Sequence, residues 1–132
     1  MNFLIDTNIC SAYIKGNHAV WSRFLTHSGG IAISVITAGE LWTWAQRSKT
    51  RDAIRVAVTD LLQSMHVIEF DMEAALRFGE LRAQMLDAGT PIPDMDTIIA
   101  ATALLHNLTL VTNNTKDFLP VPGLKLVDWL AG

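Results

Sequence analysis

Cysteine is nearly absent from this chain of 132 residues, with Cys10 its single example. No intramolecular disulfide can form, and no cluster of several thiolates can bind a metal. A lone thiol suits a reducing compartment, so a cytoplasmic location is the expectation. Long hydrophobic runs are also missing. No apolar stretch approaches the ~20 residues a membrane span needs, so no membrane contact is expected. The opening Met1-Asn2-Phe3-Leu4-Ile5-Asp6 has no basic stretch and reaches an acid at once, unlike a secretory signal. Charge is sparse too, at 17% of residues with a net value of -3. That balance argues against a strongly basic nucleic-acid binder, although a local basic rim is enough to steer phosphates. The four histidines, His18, His27, His66 and His106, are scattered and form no zinc-type pattern.

Apolar residues, by contrast, are plentiful. They make up 50% of the chain, which excludes disorder. A chain of this length can bury one sizeable core, so residues 1–132 are expected to form a single domain.

The apolar residues come in short runs alternating with helical spacing. Phe3-Leu4-Ile5 is too short for a helix and is predicted as a buried first strand. Asp6-Thr7-Asn8 supplies N-cap residues for a helix from about Ile9 to Lys15, ended by Gly16-Asn17. His18 to His27 carries Val20, Trp21, Phe24 and Leu25 on one face, predicting a second helix. Ile31 to Ser34 is predicted as a strand and Val35 to Arg47 as a helix. Asp52, as N-cap, is expected to open a helix to Ser64. His66 to Phe70 is predicted as a strand, and Asp71 is expected to cap a long helix ending at Ala88-Gly89. After the rigid Thr90-Pro91-Ile92-Pro93, Asp94-Met95-Asp96 opens an apolar helix over Thr97 to His106. Leu108 to Thr112 is predicted as a strand. Asn113 to Asp117 is a polar loop or a single helical turn. Leu124 to Val127 is the last predicted strand. Such alternation predicts a mostly parallel sheet with helices on both faces.

In folds of this class, ligands bind outside the carboxyl ends of the strands. Asp6 ends the first strand. Asp94 and Asp96 open the apolar helix, and Asp117 follows the fourth strand. Glu40 lies one or two turns into the helix after the second strand. Gathering carboxylates is unfavourable unless something offsets their repulsion. A hard divalent cation does so: magnesium takes oxygen ligands, keeps several waters and joins readily to phosphate. That combination suits phosphodiester hydrolysis.

Four stretches carry a family resemblance. Phe3-Leu4-Ile5-Asp6-Thr7-Asn8 resembles the opening of PIN-domain ribonucleases. Ile33 to Leu41, with its acid at Glu40, is similar to their second motif. Asp96-Thr97-Ile98-Ile99-Ala100-Ala101-Thr102-Ala103 resembles the third, and Leu110 to Phe118 the fourth. The compact length resembles the VapC toxins of bacterial toxin–antitoxin modules. The resemblance implies a three-layer α/β/α sandwich around a five-stranded parallel sheet in the order 3-2-1-4-5. It also implies RNA cleavage with magnesium or manganese, a homodimer, and a VapB-like antitoxin that blocks the site. By the same resemblance Asp6, Glu40, Asp96 and Asp117 are the catalytic acids. Asp6 and Asp96 bind metal directly, Glu40 directly or through water, and Asp117 through water or at a second metal. Thr7, Asn8, Thr112 and Asn114 match polar positions supporting these acids. Asp94 departs from the pattern, and its expected place is N-cap or rim. The tail from Val121 to Trp129 resembles that of members acting on initiator tRNA.

Other residues have bland readings. Cys10 is expected to be a small buried apolar residue. Trp42 and Trp44, two apart on one helix, cannot share a face; the alternatives are one in the core with the other lining a groove for a partner helix, or both in the core. Arg47, Lys49, Arg51 and Arg55 form a basic cluster. Arg77 with Arg82, and Lys116, are further candidates for steering phosphate or an acidic antitoxin tail. Two rival functions stand beside the ribonuclease: a nuclease for DNA or structured nucleic acid, and a non-catalytic binding module on the same fold. Substrate assays separate the first rival, and metal calorimetry the second.

Overall fold

Leu4 and Ile5 are sequence neighbours that enter two different cores. Successive side chains of a strand point to opposite faces of its sheet, so one short apolar run feeds both. In the computed structural model, which describes residues 1–131, five such strands lie side by side: β1 (Phe3–Ile5), β2 (Ile31–Ser34), β3 (His66–Ile68), β4 (Thr109–Val111) and β5 (Leu126–Val127). Their order is β3-β2-β1-β4-β5 and every pairing is parallel. The register sets Leu4 beside Ala32 and Leu110, and Ile5 beside Val111.

One core therefore contains Leu4, Ala32 and Leu110. It is covered by α5 (Met72–Ala88), α6 (Asp94–Leu105) and α7 (Thr115–Phe118) through Leu81, Ile99 and Phe118. The opposite core contains Ile5, Ile33 and Val111. It is covered by α1 (Thr7–Ile14), α2 (His18–Thr26), α3 (Val35–Arg47) and α4 (Arg51–Ser64). This is the three-layer sandwich with the strand order that the motifs implied. Helix α6 is buried at Thr97 and at every residue from Ile99 to Ala103. Its composition explains this, since a helix apolar on nearly all sides has no face to offer water. No helix among the described residues is long and apolar enough to cross a membrane.

Several boundaries differ from expectation. Helix α1 starts at Thr7, two residues early, because Asp6 itself is the N-cap and accepts from the Thr7 amide. Asp52 is not the N-cap of α4. That place falls to Thr50, which makes no side-chain cap bond, and Asp52 sits in the first turn. Asp71 does cap α5, accepting from the Ala74 amide at 2.9 Å. Gly89 ends that helix at φ 74°, a left-handed conformation that glycine adopts without strain. β3 stops at Ile68, short of Phe70, and β5 begins only at Leu126. The stretch after β4 resolves into the single helical turn α7.

Candidate active site

The chain runs from β1 outward to β2 and β3, then crosses back to place β4 on the other side of β1. Between β1 and β4 the connections diverge, and such a switch point leaves a crevice beyond the strand ends. Asp6 follows β1 there, and Thr112 follows β4. The Asp6 amide donates to the Val111 carbonyl at 2.9 Å, carrying the β1–β4 pairing up to the crevice.

Asp6 is 7% exposed and well supplied with donors. The Thr7 amide donates to Oδ1 at 2.8 Å and the Thr112 hydroxyl to Oδ2 at 2.8 Å. Its place at the N-terminus of α1 favours negative charge as well. Thr112 in turn accepts from the Asn114 amide at 3.1 Å. Across the crevice, the Thr7 hydroxyl donates to Glu40 Oε1 at 2.6 Å, tying the second acid to the first. Asn8 Nδ2 donates to Asn113 Oδ1 at 3.3 Å and so links α1 to the loop after β4.

Asp96 lies in the first turn of α6. Its carboxyl is pushed above the usual range, first by burial, then by the charges of Asp6, Asp117 and Glu40. The four acids expected from the motifs therefore share one electrostatic neighbourhood, although they come from four separate segments. The ion pairs present lie elsewhere, Arg77 with Glu80 and Arg82 with Asp94, so among the described residues no basic side chain is ion-paired with the cluster.

The donors are all oxygen: carboxylates backed by threonine hydroxyls. That chemistry fits magnesium or manganese and not zinc. Among the described residues no three His, Cys, Asp or Glu side chains converge as a ready-made cage.

The other singled-out residues separate clearly. Asp94 is the first residue of α6 and not its N-cap, a place held by Pro93. On the rim it accepts from Arg82 Nε at 3.0 Å. Asn114 reaches the site through its main chain, whereas the side chain bridging to Asn8 is that of Asn113. Two adjacent asparagines look alike in a sequence, and only the loop conformation chose between them. Cys10 is fully buried, and burial with the nearby charge of Asp6 pushes its thiol up and out of reactivity. Trp44 packs against the second core and Trp42 is exposed under Arg55. Arg55 also donates to Gln46 at 2.8 Å. Trp129 is buried between His27, Phe3 and Phe24, so this part of the tail is core. A hollow of about 310 Å³ lined by Met1, Phe24, Leu25, Ile31 and His66 lies where β2 and β3 begin, at the opposite end of the sheet from the acids.

Comparison with known proteins agrees with this geometry. Residues 3–123 match the model of the PIN domain. The tRNA(fMet)-specific endonuclease VapC of Shigella flexneri is 35% identical, over 98% of both chains. A chain of the DNA-bound VapBC complex from Salmonella typhimurium superposes with a TM-score of 0.92, at 32% identity and 98% coverage of each chain. One from Rickettsia felis VapBC2, bound to a promoter DNA fragment, reaches 0.89 at 32% identity, covering 98% of this chain and 99% of that one.

Proposed function

The chain belongs to the PIN-domain family and, within it, to the VapC ribonucleases; from that premise we propose that it is a magnesium- or manganese-dependent endoribonuclease, the toxin half of a toxin–antitoxin pair. The observation that carries this reading is the gathering of Asp6, Glu40 and Asp117 around Asp96, whose carboxyl is raised first by burial and then by those three acids, with none of the four in an ion pair. A fold gains nothing from such repulsion, so the cluster is explained by a cation that offsets it.

Asp6 and Asp96 would hold the ion directly, Glu40 directly or through water, and Asp117 from the outer edge. When bound, a divalent ion supplies Lewis-acid chemistry, activating water and offsetting charge that gathers on the phosphate. Thr112 and the Thr7 amide fix Asp6 in one rotamer. Thr7 aims Glu40 to orient the attacking water and take its proton. The water oxygen bonds to phosphorus as the bond to the 3′ oxygen breaks. The products are a 5′-phosphate and a 3′-hydroxyl, whose oxygen collects a proton as it leaves.

The Shigella relative's name makes initiator tRNA the first substrate to test. The VapBC complexes among the neighbours support a VapB-like antitoxin as partner. A homodimer completes the proposal.

The test is cleavage of total tRNA by the purified protein with magnesium, with EDTA, and with Asp6→Ala. Discrete fragments that vanish under EDTA and in the variant are the expected result. A folded Asp6→Ala or Asp96→Ala chain that still cuts would overturn the assignment. Cleavage of DNA in preference to RNA would hand the site to the rival nuclease reading.

A further inference from the structure

One groove opens beside the acids, and most of its length has no role in the chemistry above. It has a volume of about 190 Å³ and is lined by Thr7, Asn8, Ser11, Lys15 and Trp44. Its near end is the site itself, since Thr7 holds Glu40. From there it follows two packed helices, α1 and α3. Thr7, Ser11 and Lys15 recur every four positions at and just beyond α1 and form one stripe. Glu40 and Trp44 are likewise one turn apart on α3. At 1.5 Å per residue, the groove runs about 6 Å along α3 and about 12 Å along α1.

The far end is a cation on an aromatic face. Lys15 Nζ lies 5.5 Å from the centre of the Trp44 ring. Lys15 is exposed and pairs with no carboxylate among the described residues. Trp44 is partly buried and packs against the core, which restrains its ring. Midway, Ser11 Oγ donates to the Asn8 carbonyl at 3.0 Å, which leaves its lone pairs free for an incoming hydroxyl.

We propose that this groove is the subsite for an unpaired nucleotide flanking the scissile phosphate. Trp44 is the stacking platform for its base, Lys15, displaced from the ring face by that base, the counter-charge for its phosphate, and Ser11 the acceptor for its 2′-hydroxyl. The inference rests on the ribonuclease reading. It adds a reason for RNA over DNA, because only a ribonucleotide brings the 2′-hydroxyl. It also adds a reason for single-stranded loops, because a paired base cannot leave its stack for the tryptophan. The acids of the site repel phosphate, so a cation one subsite away is what the substrate requires.

The test measures equilibrium binding of a short unstructured RNA to the full chain silenced by Asp96→Asn, with and without Lys15→Ala, Trp44→Leu or Trp44→Phe. Trp44→Leu is expected to weaken binding about fivefold or more, the scale of base stacking, with Trp44→Phe recovering most of it. Lys15→Ala is expected to lower the slope of log K against log salt by about 0.7, the value for one phosphate of a single strand. In the active chain the same changes should raise KM and leave kcat within about twofold. Lys15→Ala and Trp44→Phe do not threaten the core, so they report even if the leucine variant unfolds. Variants that bind RNA with the parent's affinity and salt slope would overturn the subsite while the parent's cleavage upheld the enzyme. Loss of affinity for an acidic antitoxin peptide alone would reassign the groove to that partner. A parent that neither binds nor cuts RNA would remove both readings.

Discussion

Thr112 and Asp6 stand 106 positions apart, and the threonine hydroxyl donates to Asp6 Oδ2 at 2.8 Å across the seam between β4 and β1. Both groups are buried, Thr112 completely. A hydrogen bond to a buried carboxylate is worth more than an ordinary one because the charge has no water to fall back on. Thr112→Val keeps the shape and removes the donor. It should cost about 1.5–3 kcal/mol of stability and weaken metal affinity tenfold to a hundredfold. Thr112→Ser should restore both. Denaturant melts and calorimetric metal titrations check this.

Asp96→Asn should separate function from stability. The substitution removes one charge from a repelling group, so in EDTA the melting temperature should rise by a few degrees while cleavage disappears. A lower melting temperature in metal-free buffer would show that the four acids do not repel as their geometry implies.

Metal binding should depend on acidity in a definite direction. The carboxyl of Asp96 is raised in the folded chain, chiefly by burial and then by its acidic neighbours. In metal-free protein the folded state therefore takes up a proton before the unfolded state does. Stability from this group is present at and below the ordinary carboxylate value and is lost as pH rises through the raised one. A divalent cation competes for the same oxygens, so its affinity should fall as pH drops through that raised value, with protons released on binding. Calorimetry in two buffers of different ionisation enthalpy reads the proton release. Affinity unchanged between neutral and mildly acidic pH counts against Asp96 as ligand.

Asp94 should behave as rim. Its bond to Arg82 joins two exposed side chains, and such pairs contribute roughly 0.2–1 kcal/mol. Asp94→Asn and Arg82→Ala should each leave kcat within about threefold, against the collapse expected at Asp96 two residues on. Single-turnover cleavage distinguishes the two aspartates directly.

Much of this molecule was legible before any coordinates. Short apolar runs separated by helical spacing called for a parallel sheet, and acids just after those runs called for a site at its carboxyl edge. Asp71 and Asp6 announced their helices because capping is local chemistry, settled within three or four residues. Asp52 and Asp94 failed the same rule for an equally local reason. Thr50 and Pro93 already occupied the cap positions, and several adjacent polar residues offered the same signal.

What the sequence determined by itself was which segments become strands and helices, and which residue types stand ready at their ends. Those choices follow from period, capping and turn chemistry, all of which act over a few neighbours. Tertiary structure alone decided the rest. It placed Thr112 against Asp6 and Thr7 against Glu40, chose Asn113 over Asn114, and buried Trp129 while leaving Trp42 exposed. It also laid Lys15 over Trp44 to make a groove beside the acids. These are contacts between segments 29 to 126 residues apart in the chain. Distances of that kind are set by strand register and helix packing, and no local pattern encodes them.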